Sequence, residues 1–120
     1  MRKAVQLLSV FLFPAIAFAG LQTQPVAYKD VGVELEGYLA FKKDVSGQQP
    51  GVLVVPDWMG VRKPYKAIAD RLAQMGYIAV VADIYGKGVR PSNSQDASAE
   101  AQKYKSDRKL LRQRVLAVLE

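Results

Sequence analysis

At 120 residues the chain has room for one domain; half of its residues are hydrophobic, and its formal net charge is +6. It contains neither cysteine nor histidine, which excludes disulfides, the common zinc sites and every histidine-dependent triad built from these residues alone. Basic residues are scattered or fall in brief clusters such as Arg108-Lys109 and Arg112 to Arg114, with acidic residues between the clusters. That pattern reads as a solvated surface and not as the continuous basic stripe with aromatic platforms that nucleic acid needs.

Met1-Arg2-Lys3 is a short basic start, Ala4 to Ile16 is largely apolar, and Ala17-Phe18-Ala19 is a small-x-small site ahead of Gly20. This is the three-part pattern of a secretory signal peptide. The apolar stretch falls short of the roughly 20 residues of a spanning helix and is interrupted by Gln6, Ser9 and Pro14. The expectation is export to the periplasm or the medium, with cleavage after Ala19 and no stable membrane anchor afterwards. No Cys follows the apolar segment, which argues against a lipoprotein. Residues 20–25 read as a short linker, and residues 26–120 as the domain.

Val31, Val33 and Leu35 alternate with Gly32, Glu34 and Glu36, and Gly37 to Phe41 continues as a second extended run. An antiparallel pair at a sheet edge is expected over Val26 to Phe41, followed by a loop from Lys42 to Pro50. Val52 to Val55 and Tyr77 to Ala82 are apolar runs without polar alternation, as in strands covered on both faces. Between them Tyr65, Ile68, Ala69, Leu72 and Ala73 form one helical stripe, with Pro64 in the first turn and Gly76 just past the end. The unit is β-α-β, so its two strands should be parallel. After a loop over Gly86 to Ser94, Gln95 to Lys105 reads as a short helix. Ser106-Asp107 can cap a last helix with an apolar stripe of Leu111, Val115, Val118 and Leu119.

In open parallel sheets chemistry gathers beyond the carboxyl ends of the strands, here Pro56 to Gly60 and Asp83 to Lys87. Asp57 can act there as a general base or can orient another catalytic group, although a loop carboxylate bonded to nearby N–H groups is the commoner case. Trp58 and Met59 offer backbone N–H groups to a developing oxyanion, while the Trp58 indole can lid the core. Lys87 and Arg90 can hold a substrate carboxylate, but for Arg90 an ordinary exposed loop cation is the plainer reading. Neither a phosphate loop nor a G-x-G-x-x-G follows the first buried strand, which argues against a dinucleotide-binding domain and a flavodoxin-like carrier.

Five pieces taken in order, Glu36 to Ala40, Pro50 to Val55, Asp57 to Gly60, Ala69 to Leu72 with Gly76-Tyr77, and Ala82 to Gly88, resemble the dienelactone hydrolase family of α/β-hydrolases. The resemblance covers about Tyr28 to Glu120. It implies an α/β fold, an α/β-hydrolase-like three-layer sandwich in which an antiparallel strand pair precedes a parallel β-α-β-α run. It also implies an ester or lactone hydrolase acting on small, in some cases carboxylate-bearing, substrates, with no cofactor and no metal. Carried over position by position, Asp57 stands where the family commonly has a Glu that meets a nucleophilic thiol. Trp58 would lend its N–H to the oxyanion hole, and Lys87 and Tyr85 would contact substrate.

Two departures stand out. Asp57 is one methylene shorter than Glu, and the strand-to-helix turn with the nucleophile, the acid and the His of the family are absent from these residues. The expectation is an incomplete and by itself inactive N-terminal portion, stopping before the nucleophile strand. The alternative is a non-catalytic, secreted α/β binding module.

Overall fold

The computed structural model describes residues 20–120; the expected signal peptide lies outside the described residues. Strands β1 (Leu21–Asp30), β2 (Val33–Lys42), β3 (Gly51–Val54) and β4 (Ile78–Val81) form one sheet in the order β1-β2-β4-β3. β1 and β2 are antiparallel, β2 and β4 are antiparallel, and β3 runs parallel to β4. Helix α1 (Lys63–Gln74) joins β3 to β4, and α2 (Ser94–Lys105), α3 (Arg108–Leu116) and a short 3-10 turn (Ala117–Leu119) follow. Among the described residues, no helix is long and apolar enough to cross a membrane.

The parallel β-α-β unit forms as its apolar spacing requires. Pro64 sits in the first turn of α1, where its missing N–H costs nothing, and Gly76 takes a φ of +100° just past the end. Ala69 and Ala73 are fully buried, so α1 lies close on the sheet against Ala40, Ala79 and Val81. The Tyr38 hydroxyl, on β2, donates to Asp70 Oδ1 at 2.8 Å and ties the helix to the antiparallel pair. On the opposite face Leu53, Ala82 and Ile84 meet Tyr104 of α2 and Leu110, Leu111 and Val115 of α3, which makes three layers. Asn93 and Asp107 cap α2 and α3 by accepting the N–H groups of Asp96 and Leu110.

Four expectations need correction. Residues Leu21 to Pro25 are not a linker but the first half of β1, paired with Tyr38 to Lys42. Pro25 fits there because β1 is the outermost strand, so no further strand needs its missing N–H. The hairpin turns at Val31-Gly32, both at positive φ (45° and 78°), with Asp30 opposite Val33. This is the primed-turn geometry that matches strand twist, adopted here by an unusual β-branched residue. Leu119 leaves the apolar stripe, because the chain tightens into the 3-10 turn and exposes it. Arg114 is no surface cation. It is buried against Asp30, with Nε 3.1 Å from Oδ2 but without hydrogen-bond alignment, while Gln113 donates to Asp30 Oδ1.

Gly37 has a packing reason within β2: a Cβ there would lie 2.5 Å from the Val81 carbonyl oxygen of β4. The Tyr28 hydroxyl of β1 reaches across β2 to the end of β4, accepting from Asp83 N–H at 2.8 Å and sharing its proton with the Asp83 carbonyl at 3.1 Å. Burial pushes this phenol up to about 12; the Asp83 backbone bond opposes the shift and the Asp83 carboxylate adds to it. A raised folded-state value stabilises fully below the unfolded tyrosine range near 10 and is lost as pH climbs through 12. In urea titrations from pH 9 to 12, Tyr28→Phe should therefore flatten the alkaline fall of stability; an unchanged slope would remove Tyr28 from that transition.

Candidate functional site

β3 delivers its carboxyl end into the turn Asp57–Gly60. Gly60 N–H donates to the Asp57 carbonyl at 3.0 Å, and Gly60 takes a φ of +77°, which is why glycine closes the turn. Met59 N–H donates to Asp57 Oδ1 at 2.9 Å, and Arg62, the residue before α1, grips both carboxylate oxygens from Nη2 at 3.2 and 3.1 Å. Partial burial works against the charge, but the bonds from Met59, Tyr65 and Arg62 and the guanidinium charge outweigh it and hold the Asp57 carboxyl below the usual carboxylate range. A carboxylate so held is a weak proton acceptor near neutral pH. Its acceptor sites are spent on the turn itself.

β4 delivers the second half of the site. Its continuation, Asp83, is buried, and Asp83 Oδ1 accepts from Tyr85 N–H and Gly86 N–H, both at 3.2 Å, and from Arg90 Nη1 at 3.3 Å. Oδ2 accepts from Glu36 N–H of β2 at 2.9 Å. Arg90 also donates to the carbonyls of Gly86, Val89 and Glu36. It is therefore a structural cation, which differs from both readings of the sequence. The folded loop aims Tyr85 at the neighbouring turn, where its hydroxyl donates to the Trp58 carbonyl at 2.8 Å. The Tyr85 and Tyr104 rings pack with centroids 5.5 Å apart.

Asp57, Trp58 and Tyr85 line one cleft of about 230 Å³, bounded on its far side by Ala101, Tyr104 and Lys105 of α2. The Trp58 indole is partly exposed, and the backbone N–H of Trp58 is used by neither hydrogen bond that closes the turn. Lys87 is placed elsewhere: its N–H donates to the Glu34 carbonyl at 2.8 Å, its ammonium lies 3.7 Å from Glu36 Oε2, and it borders a separate hollow beside Tyr28 and Lys29. So three of the four sequence-derived site residues meet and the fourth does not join them. Arg62, Tyr104 and Lys105 went unnoticed in the sequence, and Asp83 was named there only as the start of the second strand end. An Arg just before the helix, five residues from Asp57, was the one local signal available. Among the described residues no group of His, Cys, Asp and Glu is placed to hold a metal ion.

Fold and cleft together define an α/β protein of the α/β-hydrolase type, with a strand pair leading into a parallel β-α-β unit and polar turns at the strand ends. The chain belongs to the dienelactone hydrolase family, whose family model matches residues 35–120. It is 38% identical over 77 residues to Protein usf of Aquifex pyrophilus, a match covering 62% of this chain and 32% of that protein. The crystal structure of a dienelactone hydrolase-like promiscuous phosphotriesterase from metagenomic libraries superposes with a TM-score of 0.77 and 31% identity, over 84% of this chain and 42% of that one. The structure named m3DLH gives a TM-score of 0.76 and 25% identity, over 84% of this chain and 44% of its own. The chain thus spans about a third of the curated relative and somewhat over two fifths of these structures.

The Tyr85 hydroxyl is the one side-chain bond that carries the Asp57–Gly60 turn onto the β4 loop. Tyr85→Phe should cost about 1 kcal/mol in denaturant titrations and red-shift the emission of Trp58, the sole tryptophan. Unchanged emission would show that the turn keeps its place without the phenol.

Proposed function

We propose that the cleft is one wall of the active site of an ester or lactone hydrolase, with Trp58 N–H as an oxyanion donor. The observation that carries this is the Asp57–Gly60 turn: Met59 N–H donates to Asp57 Oδ1 and the Tyr85 hydroxyl donates to the Trp58 carbonyl, while the Trp58 backbone N–H takes part in neither of the bonds that close the turn. In the proposed reaction a nucleophile adds to the acyl carbon, negative charge develops on the carbonyl oxygen, and the C–O bond to the alcohol then breaks. A donor already fixed in place needs no reorganisation when that charge appears. Asp57 acts in this scheme as the residue that orients the turn, held ionised by Arg62, and not as the base. Family membership supports a hydrolase. The nucleophile, the acid and the His are proposed to lie outside these 120 residues, in keeping with the share of its relatives that the chain matches and with its lack of Cys and His.

The test is ester hydrolysis by the product of the uninterrupted reading frame beside the 120-residue chain. The longer product should hydrolyse a p-nitrophenyl ester and the 120-residue chain should not, since loss of a single triad member already costs several orders of magnitude. In the longer product Trp58→Pro, which deletes the N–H, should lower kcat by about 10²–10³, whereas Trp58→Phe keeps the N–H and most of the rate. Equal rates in the two variants would remove Trp58 N–H from the mechanism. A frame that closes after Glu120, with no hydrolysis, would favour the secreted binding module.

We also propose export with cleavage after Ala19, which would leave β1 whole because that strand begins at Leu21. Amino-terminal sequencing of the protein recovered outside the cytoplasm should then start at Gly20; a start at Met1 would end this proposal.

A further inference from the structure

The two peptide planes on either side of Trp58 are both held. The Asp57 carbonyl and the Trp58 N–H belong to one trans plane and point opposite ways, so the bond from Gly60 N–H to that carbonyl directs the Trp58 N–H away from the turn's interior. The next plane is held at one end by the Tyr85 hydroxyl, which donates to the Trp58 carbonyl, and at the other by Met59 N–H, which donates to Asp57 Oδ1. The Asp57 carboxylate is fixed in turn by Arg62, whose Nη2 lies 3.2 and 3.1 Å from its two oxygens. Arg62 is rooted in the scaffold, because its carbonyl accepts from Tyr65 and Lys66 N–H at the start of α1. The helix gains nothing from this side chain. A cation at a helix N-terminus opposes the dipole, Arg62 makes no side-chain cap bond, and the first turn of α1 has no acidic residue. Among the described residues Arg62 Nε is also buried without a hydrogen-bond partner, a donor given up while Nη2 meets the carboxylate.

Resting on the hydrolase reading of this turn, we infer that Arg62 is a positioning residue of the reaction: through the Asp57 carboxylate it fixes the direction of the Trp58 N–H. In that scheme it touches no reacting atom, and it does not line the cleft. Its loss should slow the chemical step and leave substrate binding alone. Asp57 and Arg62 work as one unit, since either without the other leaves the Met59 side of the turn loose. The same pairing sets how the turn responds to acid. Partial burial works against the Asp57 charge, but the bonds from Met59, Tyr65 and Arg62 and the guanidinium charge outweigh it and keep the carboxyl below the usual carboxylate range. Tyr65 of α1 and Tyr85 of the β4 loop also face it and are uncharged in acid, and Lys105, a cation of α2, lines the same cleft. A carboxyl lowered in this way holds the turn fully above the ordinary aspartate value and releases it as pH falls through the lowered one.

The kinetic experiment uses the product of the uninterrupted reading frame and a p-nitrophenyl ester. Arg62→Met should lower kcat about tenfold and change KM by no more than about twofold. Arg62→Lys, which keeps a point charge, should recover part of the loss. Asp57→Ala should match Arg62→Met, and the double variant should lose no more than either one. Lys63→Met, the adjacent cation, should change neither constant. A second measurement uses the 120-residue chain. In an acid titration the emission of Trp58 should shift below the ordinary aspartate range, Arg62→Met should move the midpoint upward, and Asp57→Ala should remove the transition. The inference is overturned if the losses of the two single variants multiply, if KM rises while kcat holds, or if the midpoint stays in place in Arg62→Met. In each of those cases hydrolysis by the unaltered longer product leaves the hydrolase reading standing. If that product hydrolyses nothing, the hydrolase reading falls and takes this inference with it.

Discussion

The buried carboxylate of Asp83 is the interaction on which the rest of the structure depends. A charge at that depth costs several kcal/mol to desolvate unless it is paired and its lone pairs are filled. Here Arg90 supplies the counter-charge, and N–H groups from Glu36, Tyr85 and Gly86 fill both oxygens. The same residue's backbone N–H and carbonyl are both engaged by the Tyr28 hydroxyl. One position at the end of β4 thus ties together β1, β2 and the loop that follows it. Because Tyr85 and Gly86 are held by their own N–H groups, the direction of the Tyr85 side chain is set by the fold, and through it the height of the Trp58 turn.

The two ends of the cleft use charge differently. At the Asp57 end every charge is matched, and the product is rigidity: a carboxylate that accepts from Met59 and Arg62 holds the turn closed and stays ionised. The short Asp side chain suits this task, since it reaches the N–H two residues along and closes a local ring. At the α2 end Lys105 is exposed and belongs to none of the ion pairs among the described residues. Asp30 and Arg114 show a third use, away from the cleft. Their buried pair ties the tip of the hairpin to α3, so the last helix is anchored to the sheet by a polar contact as well as by Leu111 and Val115.

Much of the fold was legible in the chain. Strict alternation and continuous apolar runs marked β2, β3 and β4, the stripe from Tyr65 to Ala73 marked α1, and Pro64, Gly76 and Asp107 marked helix ends, because each of these signals acts within a few residues. Leu21 to Pro25 was misread because its strand character comes from a partner thirteen to twenty-one residues away in the chain, and Pro25 looks like a breaker until the strand is known to be an edge. Of the site, Asp57, Trp58 and Tyr85 were visible from their place after strands. Lys87, named with them, borders a separate hollow. Its position in sequence follows β4, but its backbone is drawn onto Glu34 and its ammonium toward Glu36.

The order of residues alone determined the secondary elements, the parallel β-α-β unit and the two strand ends at which polar groups collect, since these follow from periodicity, helix-end chemistry and strand direction. Only the tertiary structure decided which charge meets which. The Asp83 carboxylate with the Glu36 N–H, and Asp30 with Arg114, join residues separated by dozens of positions. A side chain's partners depend on distance in space and on the cost of burying it, and neither quantity can be read from spacing along the chain.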